Sequence, residues 1–273
     1  MKRNKWIYSL TFLILCSCQT ATNKTNSEQD NIIFKDNSGH SLTKTDLAKV
    51  TGQVNYEILG NQTIDATAKT LHDEARQLGQ EGKYDSSIAK LQQAIKIQPT
   101  WAYPTYDIAY TYLLKGDFDN ALKFYKKTDE LEPKGFFTAK TALYSLEGEQ
   151  SGKFPKGLYT AYMQIEWTDD ANKKLEIAKG ITEKVPAYAP AWKELANLLN
   201  DKEEKLKAIE EGLSKNPDVD TKGILEINKA IILNETGKTE EAKQLLGNFI
   251  FSPDVTTGNI ELAKFTLKSI TEK

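Results

Sequence analysis

The sequence predicts an all-α solenoid of stacked helix pairs. Three observations predict it: a segment that returns after 34 residues, a helical pattern of apolar positions running nearly to the end of the chain, and the placement of the prolines. Gly82-Lys83-Tyr84-Asp85 returns as Gly116-Asp117-Phe118-Asp119. Ile88, Leu91, Ala94, Ile97 and Pro99 then return as Leu122, Tyr125, Thr128, Leu131 and Pro133, with size or apolarity kept at four of the five positions. Units of this length bury their apolar faces on their neighbours and leave a long concave surface for a partner. The eight prolines, at 99, 104, 133, 155, 186, 190, 217 and 253, fall at helix starts or in connections, and none interrupts an apolar stripe.

Residues 1–17 read as a signal peptide. Lys2, Arg3 and Lys5 precede an apolar run, Trp6 to Leu15, whose ten residues are too few to cross a hydrocarbon core of about 30 Å as a helix. Leu15-Cys16-Ser17-Cys18 resembles a bacterial lipobox, and that resemblance implies cleavage after Ser17 and lipidation of Cys18. Cys16 fits less well, because bulky Leu15 would stand at the small-residue position. Both cysteines lie here, so the mature chain has neither a disulfide framework nor a cysteine metal site. Three of the 36 basic residues and none of the 38 acidic ones lie in the first 17 residues, which leaves 33 against 38, a net charge of −5. That balance lacks the basic surplus of a nucleic-acid binder.

Residues 18–30 join the lipidated cysteine to a flexible tether, since Gln19 to Asp30 holds no aromatic residue and no aliphatic one larger than alanine. Twelve such residues reach on the order of 20 Å. Gln19 after the cysteine, with no Asp there, resembles cargo sorted to the outer membrane of diderm bacteria. Residues 31–66 read as a small β-containing or irregular capping piece. Asn31 to Phe34 is a short apolar run, Asp36-Asn37-Ser38-Gly39 a turn signal, Thr43 to Asp46 has capping-box spacing, and Val54 to Ile58 alternates in period two.

Residues 67–273 form the expected array of about five helix pairs with a closing helix. The first unit runs from Lys69 to Gln98 and the second from Ala102 to Glu132, with Ala75 and Ala109 where the paired helices approach most closely. The third opens with Phe136 to Leu146, and Gly152-Lys153-Phe154 repeats the turn before a second helix from Pro155. Asp169 to Lys184 makes a further helix with no obvious first partner. Later units carry Trp192, Leu195 and Ala196 with Leu206, Ile209 and Gly212, and then Ala230 and Leu233 with Ala242, Leu246 and Phe249. Asn259 to Ser269 is the closing helix.

The small residue on the first helix, the Gly-Lys-Tyr or Gly-Asp-Phe turn, Ala94, Ala121 and Thr128 on the second helix and the closing Pro99 and Pro133 resemble the tetratricopeptide repeat. Ser87 stands where that family usually has alanine, and Leu71 and Thr105 where it often has tryptophan. The resemblance covers roughly residues 69 to 270 and is strongest in the first two units. It implies a right-handed α-solenoid whose groove is lined by first helices. The matching positions, three and four apart, are Lys69, His72 and Arg76, then Tyr103, Tyr106 and Tyr110, then Phe137, Lys140 and Tyr144. The partner-binding groove is therefore expected at His72, Arg76, Tyr103, Tyr106, Tyr110, Phe137, Lys140 and Tyr144. An aromatic stripe at helical spacing also serves packing, and the cluster favours a groove because Ala109 and Tyr112 already give the second unit a packing stripe on another face. Lys193, Asn197, Ile227, Ile231 and Asn234 continue it as a mixed surface, which departs from the lysine and asparagine pattern resembling chaperone-tail recognition.

No catalytic residue is expected. His40 sits in a turn and His72 on a helix, both read as satisfied surface histidines with no acid or nucleophile at a diagnostic spacing, and Asp169-Asp170 reads as helix-start acids. There is no phosphate loop, zinc spacing or serine elbow, and no cofactor is expected. The sequence predicts a lipid-anchored adaptor of the cell envelope, at the outer membrane, that holds a protein or peptide partner in the groove and binds no nucleic acid. The alternative is a lipoprotein that stacks a cell-wall fragment or glycan on the same tyrosines.

Overall fold

The computed structural model describes the backbone of residues 32–35, 41–42 and 55–58 and all of residues 63–271. The signal segment, Cys18, the tether, the turn at 36–39, the capping box at 43–46 and His40 lie outside the described residues. Three short strands stand where a β-containing piece was expected: β1 (Ile32–Lys35), β2 (Ser41–Leu42) and β3 (Asn55–Ile58). They form an antiparallel sheet in the order β2-β1-β3, with Phe34 opposite both Leu42 and Tyr56.

Among the described residues twelve helices follow: α1 (Ala66–Gln80), α2 (Tyr84–Ile97), α3 (Ala102–Lys115), α4 (Phe118–Leu131), α5 (Ala139–Gln150), α6 (Leu158–Trp167), α7 (Ala171–Lys184), α8 (Ala189–Leu198), α9 (Lys202–Ser214), α10 (Val219–Glu235), α11 (Thr239–Ile250) and α12 (Thr257–Thr271). The helical array begins at Asp65, whose carboxylate accepts the amides of Thr67 and Ala68 and so satisfies the orphan donors of α1. Asp117, Asp170, Asp201 and Asp218 cap α4, α7, α9 and α10 in the same way. Asp170 thus has the helix-start role read for it. Gly116 ends α3 in the left-handed region at φ 75°, which glycine adopts without a steric cost.

The first two units pair as expected, α1 with α2 and α3 with α4. Ala75 and Ala109, 34 residues apart, are fully buried, as are Ala94 and Thr128 on the second helices. A bare methyl lets the two backbones close on each other, so larger side chains such as Leu91 and Ile108 interdigitate around the contact. The first helices also touch one another, α1 on α3, α6 on α8 and α8 on α10, and so form the inner layer.

The third unit departs from the expected register. α6 packs chiefly on α7 and only lightly on α5, so the helix at 171–184 does have a first partner, and α5 stands singly between the second and third pairs. The elbow between α5 and α6 shows why. The Glu149 side chain turns forward and accepts the amides of Gly157 at 2.7 Å and Tyr159 at 2.6 Å, which caps α6 from the preceding helix. Phe154 folds under the elbow against Gly148, where an added Cβ would lie 2.2 Å from the ring. These contacts orient α6 away from an antiparallel hairpin with α5. The pairs are then α1/α2, α3/α4, α6/α7, α8/α9 and α10/α11, with α12 closing the array.

The stack also returns on itself. Thr141 of α5 donates to Asp218 at the start of α10 (3.2 Å), 77 residues away. The Thr257 amide donates to the carbonyl of Lys134 at 2.9 Å, which ties the start of α12 to the loop before α5. One core runs from Ala109 through Tyr125, Tyr159 and Tyr188 to Ile232, and a second, around Ile227, Leu246 and Ala263, seats α12.

Ala109→Arg tests the helix contact. Forcing a long charged side chain into a site with no exposed surface should cost about 3 kcal/mol or more. A denaturant midpoint equal to that of the parent would refute the pairing of α3 with its neighbours.

Candidate functional site

The stripes predicted on the first helices come together across unit boundaries. The His72 ring lies 4.9 Å from Tyr103 and 4.8 Å from Trp101, and Tyr103 lies 5.2 Å from Phe137 and 5.5 Å from Phe136. Tyr106 lies 5.3 Å from Phe137 and 5.6 Å from Phe136. Most of these pairs meet edge to face, the arrangement that brings positive ring edges onto negative ring faces. The result is one aromatic run from α1 over α3 to the turn before α5. Phe137 enters it from a left-handed backbone, φ 45°, an uncommon conformation for a bulky residue.

Charged groups border this run. Arg76 lies over the Tyr103 ring, 5.4 Å from its centroid, and its Nη1 donates to the Tyr103 hydroxyl at 3.4 Å. His72 Nε2 stands 2.9 Å from Asp107 Oδ2, and Arg76 Nε stands 3.8 Å from the same oxygen. This corrects the reading of His72 as a surface histidine: it is buried, and the acid that satisfies it comes from the next unit, 35 residues on. Lys69 pairs with Asp73 on the exposed side of α1 at 2.7 Å. Lys140 reaches back to Asp129 of α4 at 2.6 Å.

The remaining tyrosines are engaged within the fold. Tyr106 shares a 2.8 Å hydrogen bond with Thr138, and burial raises its phenol pKa well above the ordinary value. Tyr110 accepts a 2.7 Å hydrogen bond from Trp167 Nε1 at the end of α6. Tyr144 is flanked by Phe154, Tyr188 and the Lys153 ammonium, and its phenol is pushed up to about 12, by burial first and then by Asp218. Farther along, Asn197 accepts from Asn228 at 2.8 Å and Asn234 from Thr239 at 2.9 Å. Ile227 is buried, whereas Ile231 is exposed.

A second polar centre, formed by the middles of α6 and α8 and the start of α10, was not foreseen. Tyr162 donates to Glu194 (2.9 Å) while its own oxygen accepts from Lys193 (3.0 Å), and Lys193 and Glu194 pair at 2.7 Å. Burial opposes both charges. For Lys193, Glu194 with Asp220 and Asp218 outweighs that penalty and holds the ammonium pKa up. For Glu194, Lys193 and the Tyr162 hydroxyl outweigh it and hold the carboxyl down. Sequence reading placed Lys193 at a groove position but gave Glu194, Asp218 and Asp220 no role. The one available signal was the spacing of 31 and 32 residues from Tyr162, close to the repeat length.

Among the described residues no group of three or more His, Cys, Asp or Glu is placed to hold a metal ion. Two open depressions, of about 390 and 370 Å³, lie along α4 and between α1 and α2, and neither is lined by a residue of the predicted stripes.

Residues 106–134 match the family model of the tetratricopeptide repeat. The comparison with curated proteins gives no match. Among solved structures, a thermophilic protein of this repeat class from Thermus thermophilus is 15% identical, with 74% of this chain and 98% of that chain covered and a TM-score of 0.33. The TPR2AB domain of yeast Sti1 in complex with pHSP90 is 14% identical, covering 76% of this chain and 86% of that chain at a TM-score of 0.37. YrrB, described as having an unusual peptide-binding site, is 14% identical, covering 76% and 100% at a TM-score of 0.33.

The Lys193–Glu194 pair should behave as a buried ion pair. Lys193→Met strands Glu194 and takes a cation from Asp218 and Asp220, and should cost about 3 kcal/mol, whereas Lys193→Met with Glu194→Leu should recover the part due to Glu194 and keep the part due to the two aspartates. Equal losses in the single and double variants, measured by urea unfolding, would show that the pairing is not what holds this centre.

Proposed function

We propose that this chain, a tetratricopeptide-repeat protein, is a scaffold that holds a protein or peptide partner along the inner faces of α1, α3 and α5. The observation that carries the reading is the aromatic run through Trp101, Tyr103, Phe137 and Tyr106, bordered by Arg76 and Asp107. Rings of this kind offer large contact area with few rotatable bonds, so little entropy is lost when a partner orders them. Arg76 and Asp107 bring both signs of charge to the edge of the run and so supply register.

The scaffold is anchored to a membrane through lipid on Cys18 and works in the cell envelope at the outer membrane. The basic start, the short apolar run and the lipobox-like Leu15-Cys16-Ser17-Cys18 support that location. No described helix is long and apolar enough to cross a membrane. A single acyl chain binds a bilayer only marginally, and durable anchoring takes more than one.

Crosslinking in cells, read by mass spectrometry, tests the surface. The parent should capture a partner that is lost from Tyr103→Ser with Phe137→Gly and kept by Lys127→Ser on α4. Capture that survives the double substitution in a folded protein removes these rings from the interface. Cys18→Ser should move the protein from the membrane pellet to the supernatant, and a variant that stays in the pellet at high salt would overturn the lipid anchor.

A further inference from the structure

The start of α12 is docked with unusual closeness at a place where carboxyl groups crowd. Thr256 Oγ1 donates to Asp220 Oδ1 at 3.2 Å, and Asn259 Nδ2 donates to the Asp220 carbonyl at 3.0 Å. On the far side the Thr257 amide holds the carbonyl of Lys134 at 2.9 Å, and Lys134 Nζ donates to the carbonyl of Pro253, 119 residues away. Two glycines make the approach possible. A Cβ on Gly135 would lie 2.8 Å from Thr256 Cγ2, and one on Gly223 would lie 2.0 Å from Asn259 Nδ2. This contact joins α12, the start of α10 and the loop before α5, and with the Thr141–Asp218 bond it draws the two ends of the C-terminal half together.

The contact contains more acceptors than donors. Asp218 Oδ2 and Asn259 Oδ1 are buried without a hydrogen-bond partner. A proton on Asp220 removes its negative charge from this crowd of acceptors. The charged groups that act on Asp220 are Asp218, the cap of its own helix, Lys193 on α8 and Lys140 on α5, with the neutral Thr256, just before α12, and Asn259 of α12 facing it.

We propose that α12 is a pH-sensitive latch, closed on α10 and on the loop before α5 while Asp220 is protonated and loosened when Asp220 ionises beside Asp218. Burial, and then Asp218, push the Asp220 carboxyl up from 3.8 to about 6, against the pull of Lys193. A carboxyl that binds its proton more tightly closed than open favours closure in acid. Closure therefore weakens as pH rises from 3.8 to about 6 and settles at its weaker level above that. Loosening frees α12 from the loop that carries Phe136 and Phe137 into the aromatic run, so the latch sets how firmly one edge of that run is held. The latch rests on its own contacts, and the binding reading stands or falls separately.

Hydrogen exchange on the full-length protein at pH 5 and pH 7.5, corrected for the intrinsic pH dependence of exchange, reads the latch directly. The amide of Thr257 and the first turn of α12 should lose about tenfold in protection between the two values if Asp220 alone carries the change. Asp220→Asn keeps an acceptor for Thr256 and adds a permanent donor, so its protection should be the same at both values and close to that of the parent at pH 5. Amides of α3 and α4 report whether the remaining fold is intact. Equal protection of α12 in the parent at both values, or an undiminished drop in Asp220→Asn, overturns the proposal.

Discussion

Everything in this protein depends on backbones brought close by small side chains on paired helices. Ala75, Ala94, Ala109 and Thr128 have no exposed surface, and each lies on a helix of the first two pairs. A helix pair of about thirty residues cannot bury an apolar face by itself, so the pairs must stack. Once they stack by this contact, the first helices form the inner layer, and residues one repeat apart become neighbours. His72 meets Asp107 and Tyr103 meets Phe137 for this reason, although each pair is more than thirty residues apart in sequence.

The first two units were legible because each is written in local signals. Turn glycine, apolar period and closing proline recur at one spacing, and α1 to α4 follow them to within a few residues. The third unit was not, because its geometry is set by a side chain acting across an elbow. Glu149 lies at the end of α5 and caps α6, a job normally done by the residue just before a helix. Read along the chain, it is one more acid in a polar stretch. Its burial, and the ring of Phe154 pressed on Gly148, belong to the three-dimensional arrangement alone. The helix at 171–184 lacked a visible partner for that reason, and α6 is the partner.

The stripes were legible as positions and not as environments. Helical spacing put Tyr103, Tyr106 and Tyr110 on one face of α3, yet the three meet different surroundings. Tyr103 lies among His72, Arg76 and Phe137, Tyr106 bonds Thr138, and Tyr110 accepts from Trp167, 57 residues on. The last contact depends on where α6 is aimed, and hence on Glu149. A residue far from the stripe thus decides how one of its tyrosines is held.

Closure of the stack follows from the same dependence. An ordinary solenoid adds each unit to the last and stays open, so its ends do not meet. Here the unpaired α5 and the turned α6 bring α10 and α12 round to the loop before α5, where Thr141 meets Asp218 and Lys134 meets Thr257. Such an arrangement gathers the starts of several helices, and helix starts are where capping acids accumulate. Asp218 caps α10 and Asp220 lies in its first turn, each in an ordinary place for an acid. Closing the stack over them removes the water that would screen the two carboxylates from each other, and Lys193, held by Glu194 and Tyr162, offsets them together with Lys140. The acidic centre is therefore a consequence of folding a linear array back on itself, and its protonation and the closure of the array are linked in the same way that any buried acid is linked to the fold that buries it.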